Sequence, residues 1–466
     1  MVRKRNWRIV PFVLNGLVVL LLLAGCTVLI TPPPESGAAP TETETPAPEA
    51  EEAAAEASPT PAEEEEAAEA TATPVAEEEA EGTPTPAAEE EAGAAMGARY
   101  FAYVGTYTRG APGGWSDAAE QDPPDGIAVF AYNPDTGEMT HVQTVPSENP
   151  SFLAIHPSQQ YLYAVNEIDD YEGAEAGSIE AYAIDPVTGE LTLLNRQPID
   201  TIPAHLAVDP TGSYVVLANY VGGSFQLLPI EEDGSLGAVL HTVEQTGTGP
   251  HERQEAPHPH ATVFDPSGAY IATADLGTDQ VQIWQIQDDQ LVQVDETRVA
   301  AGSGPRHVAF HPNGHYLYVI NELTATISVF PFDPATGQLG DEIQTIGTVP
   351  DDFPEHKSTA EIMVHPSGNF LYGSNRKYEE HPLADSIAAY RIDPATGELT
   401  LIGHTTEGIQ FPRAFNFDPS GRWLFVLNQK GDSIVQFEID QETGELTPTG
   451  LVIETPTPVS LVFKTQ

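Results

Sequence analysis

The sequence predicts an all-β protein, a seven-bladed β-propeller with four antiparallel strands per blade and a C-terminal strand that closes the first blade. Three observations carry this expectation. A His/Asp-Pro turn recurs with a nearly constant period, a second turn recurs out of phase with it, and the two ends of the globular part complement each other.

The first turn falls at His156-Pro157, Asp209-Pro210, Asp265-Pro266, His311-Pro312, His365-Pro366 and Asp418-Pro419, in steps of 53, 56, 46, 54 and 53 residues. A period of about 50 residues fits a propeller or another repeat array. Short β-branched and aromatic runs with alternation fill each period and exclude helical repeats. In the copy after residue 304 the strands are expected at 306–310, 316–321, 326–332 and 338–345. The second turn joins third to fourth strands at 133–137, 185–189, 333–337, 393–397 and 440–444, with degenerate copies near Asp233-Gly234 and Asp288-Asp289. That makes seven outer hairpins against six inner turns. The difference lies at the ends, because residues 100–104 resemble second strands and residues 458–463 resemble innermost strands. The C-terminus therefore supplies the strand that the first blade lacks, and such closure leaves no open sheet edge.

Only part of the chain can be globular. Residues 1–26 open with Arg3, Lys4, Arg5 and Arg8, continue through an apolar run, and end in Leu23-Ala24-Gly25-Cys26. The run is short for a membrane span and reads as an export leader. Its end resembles a bacterial lipobox, which makes Cys26, the single cysteine, the expected lipidation site and membrane attachment. An uncleaved anchor is the alternative, and both readings place the globular part outside the cytoplasm. Residues 27–98 contain 19 Glu and no Lys or Arg, a composition that cannot bury a core and reads as a disordered spacer. Residues 99–466 form the expected propeller domain.

Charge excludes whole classes of function. The 466-residue chain carries 70 Asp and Glu against 18 Lys and Arg, a net charge of −52. Setting aside the four leader cations and the 19 spacer Glu leaves −37 on the domain, with 14 cations among 368 residues. Such a domain repels a phosphate backbone, so nucleic acid is not an expected partner. One cysteine excludes a disulfide framework and a thiolate metal cluster. No nucleophile elbow, Walker loop or dinucleotide fingerprint occurs in a suitable context, so no cofactor is expected.

The candidate site follows from topology. The recurrent turns occupy one rim, whereas the opposite rim carries long irregular connections at 109–125, 168–177, 245–257, 351–358 and 377–384. Irregular loops on a rigid scaffold are where sites are usually built. Five residues before the inner turns stand Ser151, Ala204, His260, Arg306, Ala360 and Arg413. Second strands end on the same rim in Asn166-Glu167, Asn219-Tyr220, Asp275-Leu276, Asn321-Glu322, Asn375-Arg376 and Asn428-Gln429. Arg306, Arg376 and Arg413 should therefore gather at one channel mouth, where guanidinium forks suit a carboxylate or phosphate. The recurrent Asn, including Asn321 and Asn375, have an architectural reading as strand-end braces beside a substrate-binding one. Glu167, Glu322 and Arg376 break the repeat and are functional candidates. Glu322 could hold Arg306 in an ion pair, transfer protons, or do both. His258-Pro259-His260 could orient substrate or shuttle a proton; a zinc reading lacks a clear third ligand, and no metal is expected.

The segments at 103–108, 258–260, 304–307, 319–322, 374–376 and 411–413 resemble those of the seven-bladed propeller lactonase family, which includes propeller-type 6-phosphogluconolactonases and fungal carboxy-muconate lactonising enzymes. The resemblance spans essentially all of residues 99–466. It implies hydrolysis of a lactone by a His, two Arg and a Glu, which correspond here to His258 or His260, Arg306, Arg376 and Glu322. The expected ligand is a small anionic sugar-acid lactone bound by Arg376, Arg413, Glu167, Asn321 and Asn375, and the expected state is a monomer. A displayed propeller that only binds a carboxylate ligand or a protein is the alternative from another class.

Overall fold

Each apolar run between recurrent turns becomes a strand, and four consecutive strands form one blade. The computed structural model describes residues 100–110, 125–350, 353, 358–376 and 385–465. Within them lie seven antiparallel sheets, one per blade. The leader, the spacer and Cys26 lie outside the described residues. Among the described residues no helix is long and apolar enough to cross a membrane.

Closure occurs as the sequence predicts. Pro458–Lys464 lies inside Tyr100–Thr106 in the first sheet, with Val104 opposite Leu461 and Ala102 opposite Phe463. The other innermost strands are Pro150–Ile155, Pro203–Val208, Pro259–Phe264, Pro305–Phe310, Thr359–Val364 and Pro412–Phe417. One expected element differs. The outermost strand of the fifth blade, expected as one piece over 338–345, is split into Gln338–Leu339 and Gln344–Gly347. Pro331 on the neighbouring Thr326–Asp333 has no amide hydrogen to donate, so the ladder is interrupted opposite it and Gly340 donates to its carbonyl instead.

The core lies between blades. Phe101, Tyr103 and Ile127 of the first blade pack with Leu153, Leu162 and Tyr182 of the second, and Ala102, Val104 and Leu461 pack with Phe425 and Leu427 of the seventh. Second strands are therefore buried on both faces, which explains why they read as continuous apolar runs. Polar pins add register between blades. Tyr103, Tyr163, Tyr318 and Tyr372 donate their hydroxyls to the carbonyls of Gly189, Gly234, Gly397 and Gly444, the hairpin glycines of the following blade, at 2.9–3.0 Å. At Gly397 the left-handed φ of +75° and a Tyr316 ring carbon 2.4 Å from where a Cβ would sit both require glycine.

Tyr318→Phe should leave the buried Gly397 carbonyl without its donor and cost about 1–2 kcal/mol. A denaturant midpoint that falls at constant slope is the expected result, and an unchanged midpoint would contradict the pinning role.

Candidate active site

Two backbone devices present the site. In every blade, the amide following the second strand donates to the carbonyl of the residue before the innermost strand. Tyr107, Glu167, Tyr220, Leu276, Glu322, Arg376 and Gln429 donate in turn to Thr457, Asn149, Ile202, His258, Gly304, Ser358 and Phe411, at 2.8–3.2 Å. Five of these acceptor residues have left-handed φ: Asn149 (44°), Ile202 (50°), Gly304 (62°), Phe411 (53°) and Thr457 (37°). For Ile202 and Thr457, whose side chains branch at Cβ, that conformation is costly and persists only where its surroundings enforce it.

The second device is a bulge one step further in. Register shifts skip one residue in six innermost strands, namely Ser151, His260, Arg306, Ala204, Arg413 and Val459, and one extra residue is accommodated at Ala360-Glu361. A bulged residue leaves the ladder and its side chain is re-aimed. The residues counted from the sequence as facing the mouth are thus the bulged ones.

Arg306 and Arg376 converge on Glu322. Arg306 is 2 % exposed, with Nε 3.2 Å from Glu322 Oε2 and Nη1 donating to the Ala360 carbonyl at 2.7 Å. Arg376 Nη2 lies 3.0 Å from Glu322 Oε1 and donates to Ser358 Oγ and the Thr359 carbonyl, both at 2.8 Å. A third guanidinium, that of Arg253, donates to Glu322 Oε1 at 2.5 Å and to the Tyr220 hydroxyl at 3.1 Å. Arg413 lies beside this cluster, 3.4 Å from Glu167 and over the Tyr107 ring, whose hydroxyl donates to Glu167 at 2.9 Å.

Burial alone would raise the Glu322 carboxyl, but the charges of Arg253, Arg376 and Arg306 reverse that and hold it well below the usual carboxylate range. Glu322 is thus a fixed anion and a poor proton acceptor. Burial, then the like charges of Arg376 and Arg413, push Arg306 down to about 9, against the pull of Glu322. It still carries its charge at neutral pH.

The two histidines of the His-Pro-His segment differ in environment. His258 stacks on Tyr220 at 4.4 Å and 15°, with Nδ1 3.0 Å from the Tyr220 carbonyl and Nε2 3.2 Å from Glu255. Both of its ring nitrogens are occupied. His260 is 5 % exposed, and its Nδ1 has no hydrogen-bond partner among the described residues. Burial, then the charges of Arg306, push His260 well below the ordinary imidazole value, which keeps the ring neutral. Among the described residues no three His, Cys, Asp or Glu side chains group as metal ligands.

Asn321 turns into its own blade, and Asn375 bridges its own blade to the connection that enters it from the fifth. Asn321 Nδ2 donates to Thr326 and Ser328, and Asn375 is engaged with Thr348 and Ser386. Asn166, Asn219 and Asn428 make similar bonds, so the repeated position braces the strand end.

Sequence reasoning did not single out Arg253, Tyr107, Tyr220, His307 or Glu361. Arg253 was findable as one of 14 domain cations on an irregular loop of the chosen rim. His307 was not, because strict alternation points it away from the channel, whereas the bulge at Arg306 places it beneath the mouth. There its Nδ1 is 2.8 Å from Glu361, and both line an axial cavity of about 370 Å³ with His205 and Phe152.

With this geometry in hand, comparison with known proteins is informative. Residues 101–463 match the family model described as "Lactonase, 7-bladed beta-propeller". The chain belongs to this family. A Bacillus subtilis relative named 6-phosphogluconolactonase is 34 % identical over 334 residues, covering 71 % of this chain and 89 % of its own. A Formosa agariphila relative of the same name is 34 % identical over 335 residues, covering 70 % and 89 %. The solved structure of a periplasmic gluconolactonase from Pseudomonas aeruginosa is 28 % identical, with a TM-score of 0.69 over 79 % of this chain and 99 % of its own. The matches span 89 % of the first two relatives and 99 % of the third.

In this lactonase-family propeller, Glu322 should matter for stability before chemistry is considered. Its pKa is lowered on folding, so the stabilisation it provides is complete above the ordinary value of 4.5 and is lost as pH falls through the lower folded value. Glu322→Gln should cost about 3 kcal/mol or more at neutral pH by leaving buried guanidiniums unpaired. It should also flatten the loss of stability below pH 4.5, as followed by thermal unfolding across pH. An unaltered profile would contradict the pairing.

Proposed function

We propose that the protein is a carboxylic ester hydrolase, a lactonase that opens the ring ester of an anionic sugar-acid lactone at this mouth. The observation that carries the reading is the convergence of buried guanidiniums on one fixed carboxylate beside a neutral imidazole, in a chain whose relatives are named lactonases.

A lactone requires modest help. Its ring holds the ester in a reactive geometry, so a positioned water, a base and stabilisation of the developing oxyanion suffice. Arg306 is assigned to the oxyanion, because it is the most buried of the mouth arginines and its orientation is fixed by Glu322 and the Ala360 carbonyl. Arg376 and Arg413 face the substrate's anionic part, with Glu167 and Tyr107 holding Arg413 in place. Glu322 positions the arginines. His260 is the base that takes the water's proton, and His258 orients the wall of the site through its stack on Tyr220. Water oxygen bonds to the carbonyl carbon, the ring C–O bond breaks, the ring oxygen takes a proton, and one proton per turnover leaves with the carboxylate product.

The suppressed basicity of His260 has a kinetic consequence. In the free protein burial, and after it the charges of Arg306 and Arg413, hold the imidazole down, whereas a bound anion offsets those charges and lifts it part of the way back. We further propose that the chain is exported and anchored through lipid on Cys26, with residues 27–98 as spacer and the domain acting as a monomer. The leader composition and the name of the periplasmic Pseudomonas relative support this setting.

Acid release from 6-phosphogluconolactone, gluconolactone and a carboxylated lactone, corrected for spontaneous hydrolysis, tests the reading in a pH-stat. Arg306→Ala or Arg376→Ala should lower kcat/KM at least tenfold, about 1.4 kcal/mol. Full turnover by both variants would refute the site; binding without turnover by the unaltered protein would favour a displayed receptor. In the pH profile, the acid limb of kcat/KM should lie below pH 6.5 and that of kcat at higher pH, because the first reports the free protein and the second the complex. Coincident limbs at the ordinary imidazole value would contradict the role of His260.

A further inference from the structure

The four mouth guanidiniums differ sharply in exposure. Side-chain exposure is 2 % for Arg306, 3 % for Arg376 and 9 % for Arg413, but 41 % for Arg253. Three belong to strands or strand ends at the bottom of the mouth, and the fourth enters from the loop between the third and fourth blades. Glu322 pairs with Arg253, Arg306 and Arg376, and Glu167 with Arg413. Glu255 lies further out and is 67 % exposed. Four guanidiniums gathered at one mouth in a domain of −37 are a feature that the fold itself does not require.

The Arg253 loop is rigid at its base. The adjacent Gln254 is fully buried, donates to the Leu276 carbonyl and Asp279 Oδ1 at 2.8 Å each, and accepts from the His251 amide at 3.1 Å. Its backbone closes the turn with Gly249 and His251 at 2.9 Å. A Cβ on Gly249 would lie 2.2 Å from the Gln254 side chain, so the turn is packed to the limit. The base of the Arg253 side chain is thus fixed, while its guanidinium, tied to Glu322 and Tyr220, keeps solvent access.

Depth then sorts the roles. A lactone whose reacting carbonyl meets Arg306 has its exocyclic arm directed outward, toward Arg253, the most exposed of these four guanidiniums. We propose that Arg253 is a specificity-determining residue of the mouth, adding to Arg376 and Arg413 an outer contact with an exocyclic anionic group on the substrate, carboxylate or phosphate. The inference rests on the lactonase reading and deepens it: a phosphate or a carboxylate on the exocyclic arm supplies the anion that the outer guanidinium meets. A guanidinium fork fits both groups bidentately. A neutral lactone makes no use of the outer cation.

The test compares kcat/KM for 6-phosphogluconolactone, glucarolactone and neutral gluconolactone in the unaltered protein, Arg253→Ala and Arg253→Gln, the second retaining a hydrogen-bonding arm in case the first folds poorly. In both variants the ratio of charged to neutral substrate should fall at least tenfold. A larger fall for the phosphorylated lactone identifies phosphate as the group read, and a larger fall for glucarolactone identifies carboxylate. Ratios kept within threefold in both variants overturn the proposal. Calorimetric affinities for 6-phosphogluconate, glucarate and gluconate provide the same ratios without turnover. Absence of hydrolysis in the unaltered protein therefore counts against the lactonase reading alone, and the affinity ratios still decide the role of Arg253.

Discussion

In every blade one amide, just past the second strand, donates to the carbonyl just before the innermost strand, and the whole mouth hangs on that bond. It carries the antiparallel ladder one step beyond the strands and fixes both sides of the rim. On one side it positions Glu167, Tyr220, Glu322 and Arg376 as its own donor residues. On the other it is followed within three residues by the bulge that turns His260, Arg306 and Arg413 into the channel. The left-handed residues Ile202 and Thr457 are tolerated because the clamp and the following proline determine the local path. The same backbone device serves seven times, and chemistry arises from which side chains occupy it.

Electrostatics makes those occupants interdependent. Burying Arg306 and Arg376 costs solvation that is offset by Glu322 together with the Ala360 and Thr359 carbonyls and Ser358, and Glu322 stays ionised because guanidiniums surround it. The cluster cannot lose one member without stranding the others. This explains why a domain with so few cations concentrates four of them within one mouth. At longer range the acidic surface repels anions, but screening confines that effect to roughly 8–10 Å at physiological salt, and within the mouth the local guanidiniums dominate. The arrangement suits a small anion that can enter the channel and disfavours a large polyanion that must lie across the surface.

The sequence made the architecture readable because repetition is a redundant signal. Six inner turns, seven outer hairpins and two complementary ends fix blade number and closure together, even where one outer strand breaks opposite Pro331. The mouth was half readable. Counting from the turns located Arg306, Arg376, Arg413, His260, Glu167 and Glu322, because a fixed offset in a repeat is a fixed place in space. It also drew in Asn321 and Asn375, whose offset is equally fixed but whose hydrogen bonds go to neighbouring strands and connections. Offsets locate a backbone, not the direction of a side chain. Arg253 escaped because it lies on an irregular loop without a counterpart in other blades, and its reach to Glu322, 69 residues away, is a tertiary fact. His307 escaped because the bulge cancels the alternation that sequence reading assumes.

The central claim is that the clamped rim, and not the axial cavity behind it, holds the substrate. A crystal structure of the protein with a hydrolysis product, 6-phosphogluconate or glucarate, tests this most directly. The newly formed carboxylate should lie within hydrogen-bond distance of Arg306, beside His260, with the remote anionic group toward Arg376 and Arg413 and within reach of Arg253. Product bound instead in the cavity lined by His205, His307, Phe152 and Glu361, with the arginine mouth empty, would contradict it.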